Sequence, residues 1–214
     1  MKLVTNPNKF FEKAVNSEIR LARPLLIILS IALLTSIYQY SIISKIAQTF
    51  PEDVAKFFMI GAYIGIIGTF VGIFAVWFIA GALLHAISGI FGGKGSFRRT
   101  FELAGYGFLP SLVGSVITVP LSLYCLSQAN LPEITPETLQ NPEAMKSLMF
   151  SIVPPDLLYS NLILSSAITL WSLTLWTFAV KHARNLPTRK AFVSALVPTV
   201  IFALYQFYSV ASLL

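Results

Sequence analysis

An uncharged, proline-free stretch of 35 residues, from Phe57 to Phe91, limits what this chain can fold into more than any other feature. Two membrane crossings joined by a turn need more than about 40 residues, so this stretch provides a single crossing. As a helix rising about 1.5 Å per residue it reaches roughly 50 Å, against about 30 Å of hydrocarbon. We therefore expect one long helix that tilts, bends or extends past the bilayer.

The composition excludes a water-soluble globular domain. Of the 214 residues, 56% are hydrophobic and only 11% are charged, whereas soluble domains carry roughly 25% charged residues. The single cysteine, Cys125, excludes an intrachain disulfide, and the two distant histidines disfavour a metal site. We predict no cofactor and no metal. The net charge of +6 comes from cations beside apolar runs, which is typical of membrane topology and not of nucleic-acid binding.

The apolar runs predict an all-α polytopic membrane helix bundle with five transmembrane helices. The predicted spans cover residues 24–43, 57–91, 101–126, 157–180 and 191–214. Residues 1–23 form a separate segment without the pattern of a cleavable signal peptide. Within it we predict an interfacial amphipathic helix over residues 6–23, capped by Asn6 with Pro7 in its first turn. The chain thus divides into a cytoplasmic interfacial helix, 1–23, and a membrane domain, 24–214.

The cations indicate which side of the membrane each loop occupies. The N-terminal segment, the first basic turn (residues 92–102) and the second basic turn (residues 181–190) contain all but three of the fifteen cations. Only Lys45, Lys56 and Lys146 fall on the other side. By the positive-inside rule, we expect the N-terminus and both basic turns in the cytoplasm and the C-terminus outside the cell membrane.

Small residues and prolines suggest how the spans pack. Glycines spaced by three or four residues lie on one face of the second span, which favours close packing of another helix there. These glycines are Gly61, Gly65, Gly68 and Gly72. Packing inside the bundle is the favoured interpretation, and a homodimer contact is the competing one. In the third span, Pro110 and Pro120 predict kinks near residues 109 and 119. Two short helix starts, Thr135-Pro136-Glu137 and Asn141-Pro142-Glu143, are expected on the opposite side of the membrane.

No catalytic motif accompanies this membrane architecture. Residues 92–96 read Gly-Gly-Lys-Gly-Ser, but Ser88 stands where a phosphate-binding loop needs glycine, and no strand precedes it. The patterns H-E-x-x-H and G-x-S-x-G are missing as well. We predict that the protein is not an enzyme. Its cytoplasmic cations are instead the candidate site for anionic lipid or a partner: Lys94, Arg98, Arg99, Lys181, Arg184, Arg189 and Lys190.

Further polar side chains in or near the spans are predicted to have specific partners or positions. Arg98 and Glu102, four residues apart, are placed to pair. Glu18 lies within the apolar side of the N-terminal helix, so either it meets a cation from another segment or it points to water. His85 is interpreted as lying near the cytoplasmic interface. A transport path would instead expose His85, Asn161 or the hydroxyls of the fourth span to a water-filled cavity.

The layout of five spans, with a short basic turn leading into Gly105, Tyr106 and Pro110, resembles the Yip domain family. The resemblance covers nearly the whole chain, and its motif is the Gly-Tyr-x-x-x-Pro element at these positions. It implies a membrane-organising or adaptor protein, with membrane or cytoplasmic protein partners and a possible homo-oligomer. Only about 23 residues precede the first span, as in a short prokaryotic-like member. The alternative is a small transporter or channel using spans two, three and four.

Overall fold

All regular secondary structure in the described part of the chain is α-helical. The computed structural model describes residues 2–129, 131, 141–152 and 155–211. Its helices, in chain order, are α1 (Lys2–Thr5), α2 (Pro7–Val15), α3 (Ala22–Ala47), α4 (Glu52–Ile90), α5 (Phe97–Tyr106), α6 (Leu109–Gln128), α7 (Pro142–Ile152), α8 (Pro155–Ala183) and α9 (Thr188–Ala211).

Within the described residues, five helical segments are long and apolar enough to cross a membrane, which confirms the predicted polytopic bundle. Four of them are the single helices α3, α4, α8 and α9. The fifth consists of α5 and α6 together. The long apolar stretch is a single crossing, since α4 runs unbroken for 39 residues. The division into domains at residues 23 and 24 stays a prediction.

The N-terminal helix is shorter than predicted. Asn6 caps α2 by accepting a hydrogen bond from the Lys9 N–H at 3.1 Å, as expected, but α2 ends at Val15 and not at residue 23. Beyond it, Glu18 is exposed to water and pairs with Arg20 at 3.4 Å. The apolar face of α2 packs on protein: Phe11 is fully buried in a cluster with residues of α5 and α8. Its position in the headgroup plane stays a prediction.

The third predicted span consists of two helices. α5 ends at Tyr106, and α6 begins at Leu109 with Pro110 in its first turn. This break lies beside the expected first kink. At Pro120, by contrast, α6 continues without a break. The break brings the Trp176 ring against Gly107, where an added Cβ would lie 2.1 Å from the indole.

Helix α5 packs in the interior of the bundle, between α4 and α8. The indole N–H of Trp77 on α4 donates to the Phe101 carbonyl at 3.2 Å, and the two rings stack at 4.2 Å. From the other side, the indole N–H of Trp176 on α8 donates to the Ala104 carbonyl at 3.0 Å. Each tryptophan thus satisfies its donor in an apolar core while fixing the position of α5.

Internal packing at the α4 glycines stays a prediction, and the structure places another helix of this chain against one of the four. A Cβ added to Gly61, Gly68 or Gly72 would meet no atom within 4 Å. Only Gly65 contacts another helix of this chain, through the Gln39 side chain of α3 at 2.7 Å. Only one edge of the predicted glycine face therefore meets α3. The homodimer contact stays a prediction.

On the side opposite the basic turns, the second expected helix start is confirmed. The Asn141 side chain accepts hydrogen bonds from the backbone N–H groups of Glu143 and Ala144, at 3.0 and 3.3 Å, and α7 follows. The other start, at residues 135–137, lies outside the described residues.

The contact at Gly107 gives a stability prediction. Gly107→Ala places a methyl group inside the Trp176 ring volume and is expected to lower the free energy of unfolding by about 1–3 kcal/mol. Gly72→Ala, which meets open space within a helix, serves as the control and is expected to be neutral or stabilising by up to about 1 kcal/mol. Thermal unfolding in detergent micelles measures both. Equal unfolding temperatures for the two variants would show that the Trp176 ring can pack against residue 107 without a glycine there.

Candidate binding face formed by the basic turns

The first basic turn reverses the chain between α4 and α5 in six residues. Gly92 and Gly95 have φ angles of +82° and +135°, which side chains with a Cβ rarely adopt. Ser96 then caps α5 by accepting a hydrogen bond from the Arg99 N–H at 3.3 Å, as the sequence predicted. A Cβ at Gly95 would also lie 2.2 Å from the Ala183 carbonyl oxygen. The glycines therefore permit both the turn and its close approach to the end of α8.

Arg184 joins the two basic turns. Only 5% of it is exposed, and burial lowers the pKa of its guanidinium. The guanidinium donates to the Ser88 hydroxyl at 3.0 Å, to the Gly93 carbonyl at 2.7 Å and to the Gly95 carbonyl. Its own backbone carbonyl accepts from the Lys94 N–H at 2.8 Å. Arg184 was predicted to bind lipid or a partner. It is instead buried, with three internal acceptors for its charge-assisted hydrogen bonds.

The joined turns present four exposed cations at one end of the bundle. These are Lys94 and Arg98 from the first basic turn and Arg189 and Lys190 from the second. We call these four side chains the basic face. Within the described part of the chain, none of the four forms an ion pair. The Lys190 ammonium donates to the Phe91 carbonyl at 3.3 Å, but no described acid neutralises any of the four charges, which leaves them available to an anion.

Arg99 and Glu102 form a partly buried ion pair that holds the N-terminal segment. Their side chains are 13% and 4% exposed, and the two charged groups are 2.6 Å apart. The other Glu102 oxygen accepts from the Arg20 N–H at 2.8 Å, while Arg99 donates to the Ala14 carbonyl at 3.1 Å and to the Ser17 carbonyl. The expected Arg98–Glu102 pair is therefore wrong by one residue. Sequence reasoning missed Glu102 as an organising group, although the three-residue spacing from Arg99 was visible.

Lys181 is only half-buried and also contacts the N-terminal segment. Its ammonium donates to the Asn8 side-chain oxygen at 2.9 Å, and a ring nitrogen of His182 lies 2.9 Å from the same atom. Helix α2 therefore packs against the end of α8, next to the second basic turn. Beside it, a groove of about 580 Å³ is lined by Lys2, Lys9, Glu12, Lys13 and Asn16.

The motif residues Gly105, Tyr106 and Pro110 are packing residues. A Cβ at Gly105 would lie 2.5 Å from Pro24 and 2.9 Å from the Trp77 indole nitrogen, so this glycine lets α3 and α4 approach α5. Tyr106 is buried and meets the Phe10 ring edge-on, with centroids 5.2 Å apart. Pro110 is fully buried in the first turn of α6. The motif therefore positions α2, α3 and α4 around α5.

The two polar groups that were proposed as markers of a transport path lie in different places. A ring nitrogen of His85 is 3.2 Å from the Thr100 hydroxyl, beside the first basic turn, as the interfacial interpretation expects. Asn161 and Ser165 of α8 instead line a cavity of about 300 Å³ with residues of α3, α6 and α9. His85 does not line this cavity.

Loss of the Arg184 guanidinium is expected to destabilise the protein. Arg184→Gln leaves buried carbonyls of the first basic turn without their donors, which costs about 1–3 kcal/mol for each unsatisfied group. Arg189→Gln, at an exposed position of the same turn, is the matched control and is expected to be neutral within about 0.5 kcal/mol. The measurement is the unfolding temperature in micelles. If both variants unfold at the wild-type temperature, the Arg184 guanidinium does not stabilise the two basic turns.

Loss of the Glu102 carboxylate is expected to release the N-terminal segment. Glu102→Gln breaks a pair that is almost fully enclosed, so tryptic cleavage after Arg20 is expected to accelerate by roughly tenfold, equivalent to about 1.4 kcal/mol of local opening free energy. Glu18→Gln, an exposed acid 84% open to solvent, is expected to leave the rate unchanged. Equal cleavage rates in the two variants would contradict this role for Glu102.

Comparison with known proteins agrees with this architecture. The Yip1 domain matches residues 1–210. An uncharacterized protein of Methanocaldococcus jannaschii is 40% identical to this chain over 124 residues, which are 58% of this chain and 88% of the relative. No solved structure matches. Because the match spans nearly the whole chain, including the five helices able to cross a membrane, this multi-pass membrane protein belongs to the Yip1 domain family.

Proposed function

We propose that this protein is a non-catalytic membrane-organising or adaptor protein whose basic face binds the anionic headgroups of membrane lipids. The observation that carries the proposal is the hydrogen bond of 2.8 Å from the Lys94 N–H to the Arg184 carbonyl. It fixes two turns that are some ninety residues apart in sequence at one place. Cations from both turns thereby share one surface.

The location and charge of the basic face fit lipid phosphates. The face lies at the helix ends, where the chain leaves the apolar spans. Each cation near an anionic membrane surface contributes about 1 kcal/mol of attraction, so four give a useful preference over zwitterionic lipid. A protein partner with an acidic surface is the alternative occupant. Of the seven cations predicted for this role, Arg99 and Arg184 serve the fold and Lys181 is tied to Asn8.

The proposed orientation places the basic face in the cytoplasm of the cell, with the C-terminus across the cell membrane. This follows from the cation asymmetry and the positive-inside rule. The ends of α3 and α6 opposite this face are joined by a hydrogen bond from the Lys45 ammonium to the Leu126 carbonyl, so one of the few cations on that side is already occupied. The cations of α1 and α2 are exposed on the basic side.

Transport is the alternative function, and the bundle supports it only in part. Three glycines of the second span point away from the other helices, and His85 lies beside the basic turns. The hydroxyls of the fourth span do reach a cavity, through Ser165. We rank transport second because the cavity and the basic face lie at opposite ends of the helices. Homo-oligomerisation through the outward α4 glycines stays a prediction.

Neutralising the basic face is expected to abolish a preference for anionic lipid. The variant combines Lys94→Gln, Arg98→Gln, Arg189→Gln and Lys190→Gln, all at exposed positions. In mixed phosphatidylcholine and phosphatidylglycerol membranes, polymer-extracted wild-type discs are expected to be enriched in phosphatidylglycerol at low salt. The variant should lose this enrichment, and wild type should lose it near 1 M salt, where the screening length is about 3 Å.

The matched control neutralises cations at the other end of the bundle. Lys56→Gln with Lys146→Gln is expected to retain the enrichment, since these residues lie outside the basic face. Solute flux into reconstituted vesicles is measured in parallel. Equal enrichment in wild type and the fourfold variant, together with measurable flux, would reverse the ranking of the two functions.

A further inference from the structure

The cavity at the end of the bundle away from the basic turns is unusual in its lining. Its volume is about 300 Å³, the lower end of the range for small-molecule sites. Side chains from α3, α6, α8 and α9 surround it. They are Tyr38, Ser111, Gly114, Ser115, Thr118, Val119, Ser122, Asn161, Leu164, Ser165, Ile168 and Gln206. Most are polar, although all lie on helices able to cross a membrane.

Two amide side chains that line this cavity, Asn161 and Gln206, have hydrogen-bond donors that no described residue accepts. Among the described residues, the Asn161 amide has no hydrogen-bond partner, although it offers two donors and a carbonyl oxygen. The Gln206 side-chain oxygen accepts from Thr169 at 3.1 Å, which leaves its NH₂ group available. These amides therefore offer hydrogen-bond donors to an occupant that carries acceptors.

The hydroxyls of the cavity present the complementary chemistry. Ser115 and Ser165 each donate to a carbonyl of their own helix, at 2.9 and 3.0 Å. Their protons are thus used, and their oxygen lone pairs face the cavity as acceptors. The cavity therefore offers amide donors on α8 and α9 and hydroxyl acceptors on α6 and α8. An occupant that matches both has carbonyl oxygens and at least one free hydroxyl.

The lining also determines the charge of the occupant. It contains no Lys, Arg, His, Asp or Glu, so an ion entering it would lose its hydration without gaining a counter-charge. Phosphate-bearing headgroups are thus disfavoured, in contrast to the basic face. Val119, Leu164 and Ile168 supply apolar wall, which suits the beginning of an acyl chain. Because Asn161, Ser165 and Gln206 are partly exposed, the cavity opens at the surface of the bundle, where lipid can enter.

We propose that this cavity binds the uncharged head of a membrane lipid of the diacylglycerol class. Two ester carbonyls accept from the Asn161 and Gln206 amides, the free hydroxyl donates to the serine oxygens, and the acyl chains leave through the open side. The site lies roughly 24–33 Å along the helices from the basic turns, at about 1.5 Å per residue. It is therefore separate from the proposed contact with anionic lipid.

The test uses a diacylglycerol with a photoactivatable diazirine in one acyl chain. The full chain is reconstituted in phosphatidylcholine nanodiscs, illuminated, and mapped by peptide mass spectrometry. Labelling is expected to saturate and to fall on peptides of α6 and α8. Unlabelled dioleoylglycerol should compete, whereas dioleoyl phosphatidic acid, which has the same chains with a phosphate in place of the hydroxyl, should compete at least about tenfold less well.

Two variants and two controls test the named groups. Asn161→Leu keeps the side-chain volume but removes the amide, and it is expected to lower labelling about fivefold, or roughly 1 kcal/mol, as for one lost hydrogen bond. Ser165→Leu fills the cavity and should lower labelling further. Ser166→Ala, at an exposed neighbour that hydrogen-bonds its own helix, should behave as wild type. So should the fourfold basic-face variant, which separates this proposal from the previous one.

Three results would overturn the proposal. Labelling that does not saturate, or that spreads over all lipid-facing helices, would show an annular contact only. Equal competition by phosphatidic acid would show that the cavity does not exclude charge. Wild-type labelling in both Asn161→Leu and Ser165→Leu would show that the lipid binds elsewhere. The competition experiment needs no variant, so a folding defect in either substitution leaves the proposal testable.

Discussion

The buried guanidinium of Arg184 is the interaction on which the end of this protein that contains the two basic turns depends. Its hydrogen bonds to Ser88 and to the carbonyls of residues 93 and 95 connect the end of α4, the first basic turn and the end of α8. Placing a charge in so enclosed a position costs desolvation, which only a full set of acceptors offsets. Once these hydrogen bonds are formed, the exposed cations of both turns lie on one face of the bundle.

A second buried ionic contact extends the same arrangement to the N-terminus. The pair of Arg99 and Glu102 belongs to α5, yet its hydrogen bonds reach the backbone of residues 14, 17 and 20. Helix α5 is itself held by two tryptophan N–H groups. The N-terminal segment, the first basic turn and the core are therefore coupled through one ten-residue helix, which also contains the Gly-Tyr of the family motif.

The sequence was sufficient for the architecture because lipid imposes simple length rules. Five apolar runs gave five membrane-capable helices, and caps at Asn6 and Ser96 followed from local chemistry. The sequence was insufficient wherever the hydrogen-bonding or packing partner of a residue lies far along the chain. Apart from Glu102, three residues from Arg99, the acceptors of Arg184 and Arg99 lie 82 to 96 residues away. The sequence therefore did not separate these two buried arginines from the exposed Arg98 and Arg189. The glycine pattern of α4 predicted a face but not its neighbour, and the cavity depends on four helices at once.

The unbroken length of α4 has a consequence for the bilayer around the protein. Its 39 residues rise about 58 Å at 1.5 Å each, close to twice the hydrocarbon thickness of an average membrane. A uniform slant alone would have to exceed the range of about 0–40° that single helices adopt. A helix of this length therefore has to bend, to carry its ends beyond the hydrocarbon layer, or to thicken the lipid beside it. The polar start of α4, with Glu52, Asp53 and Lys56, suits a position outside the hydrocarbon.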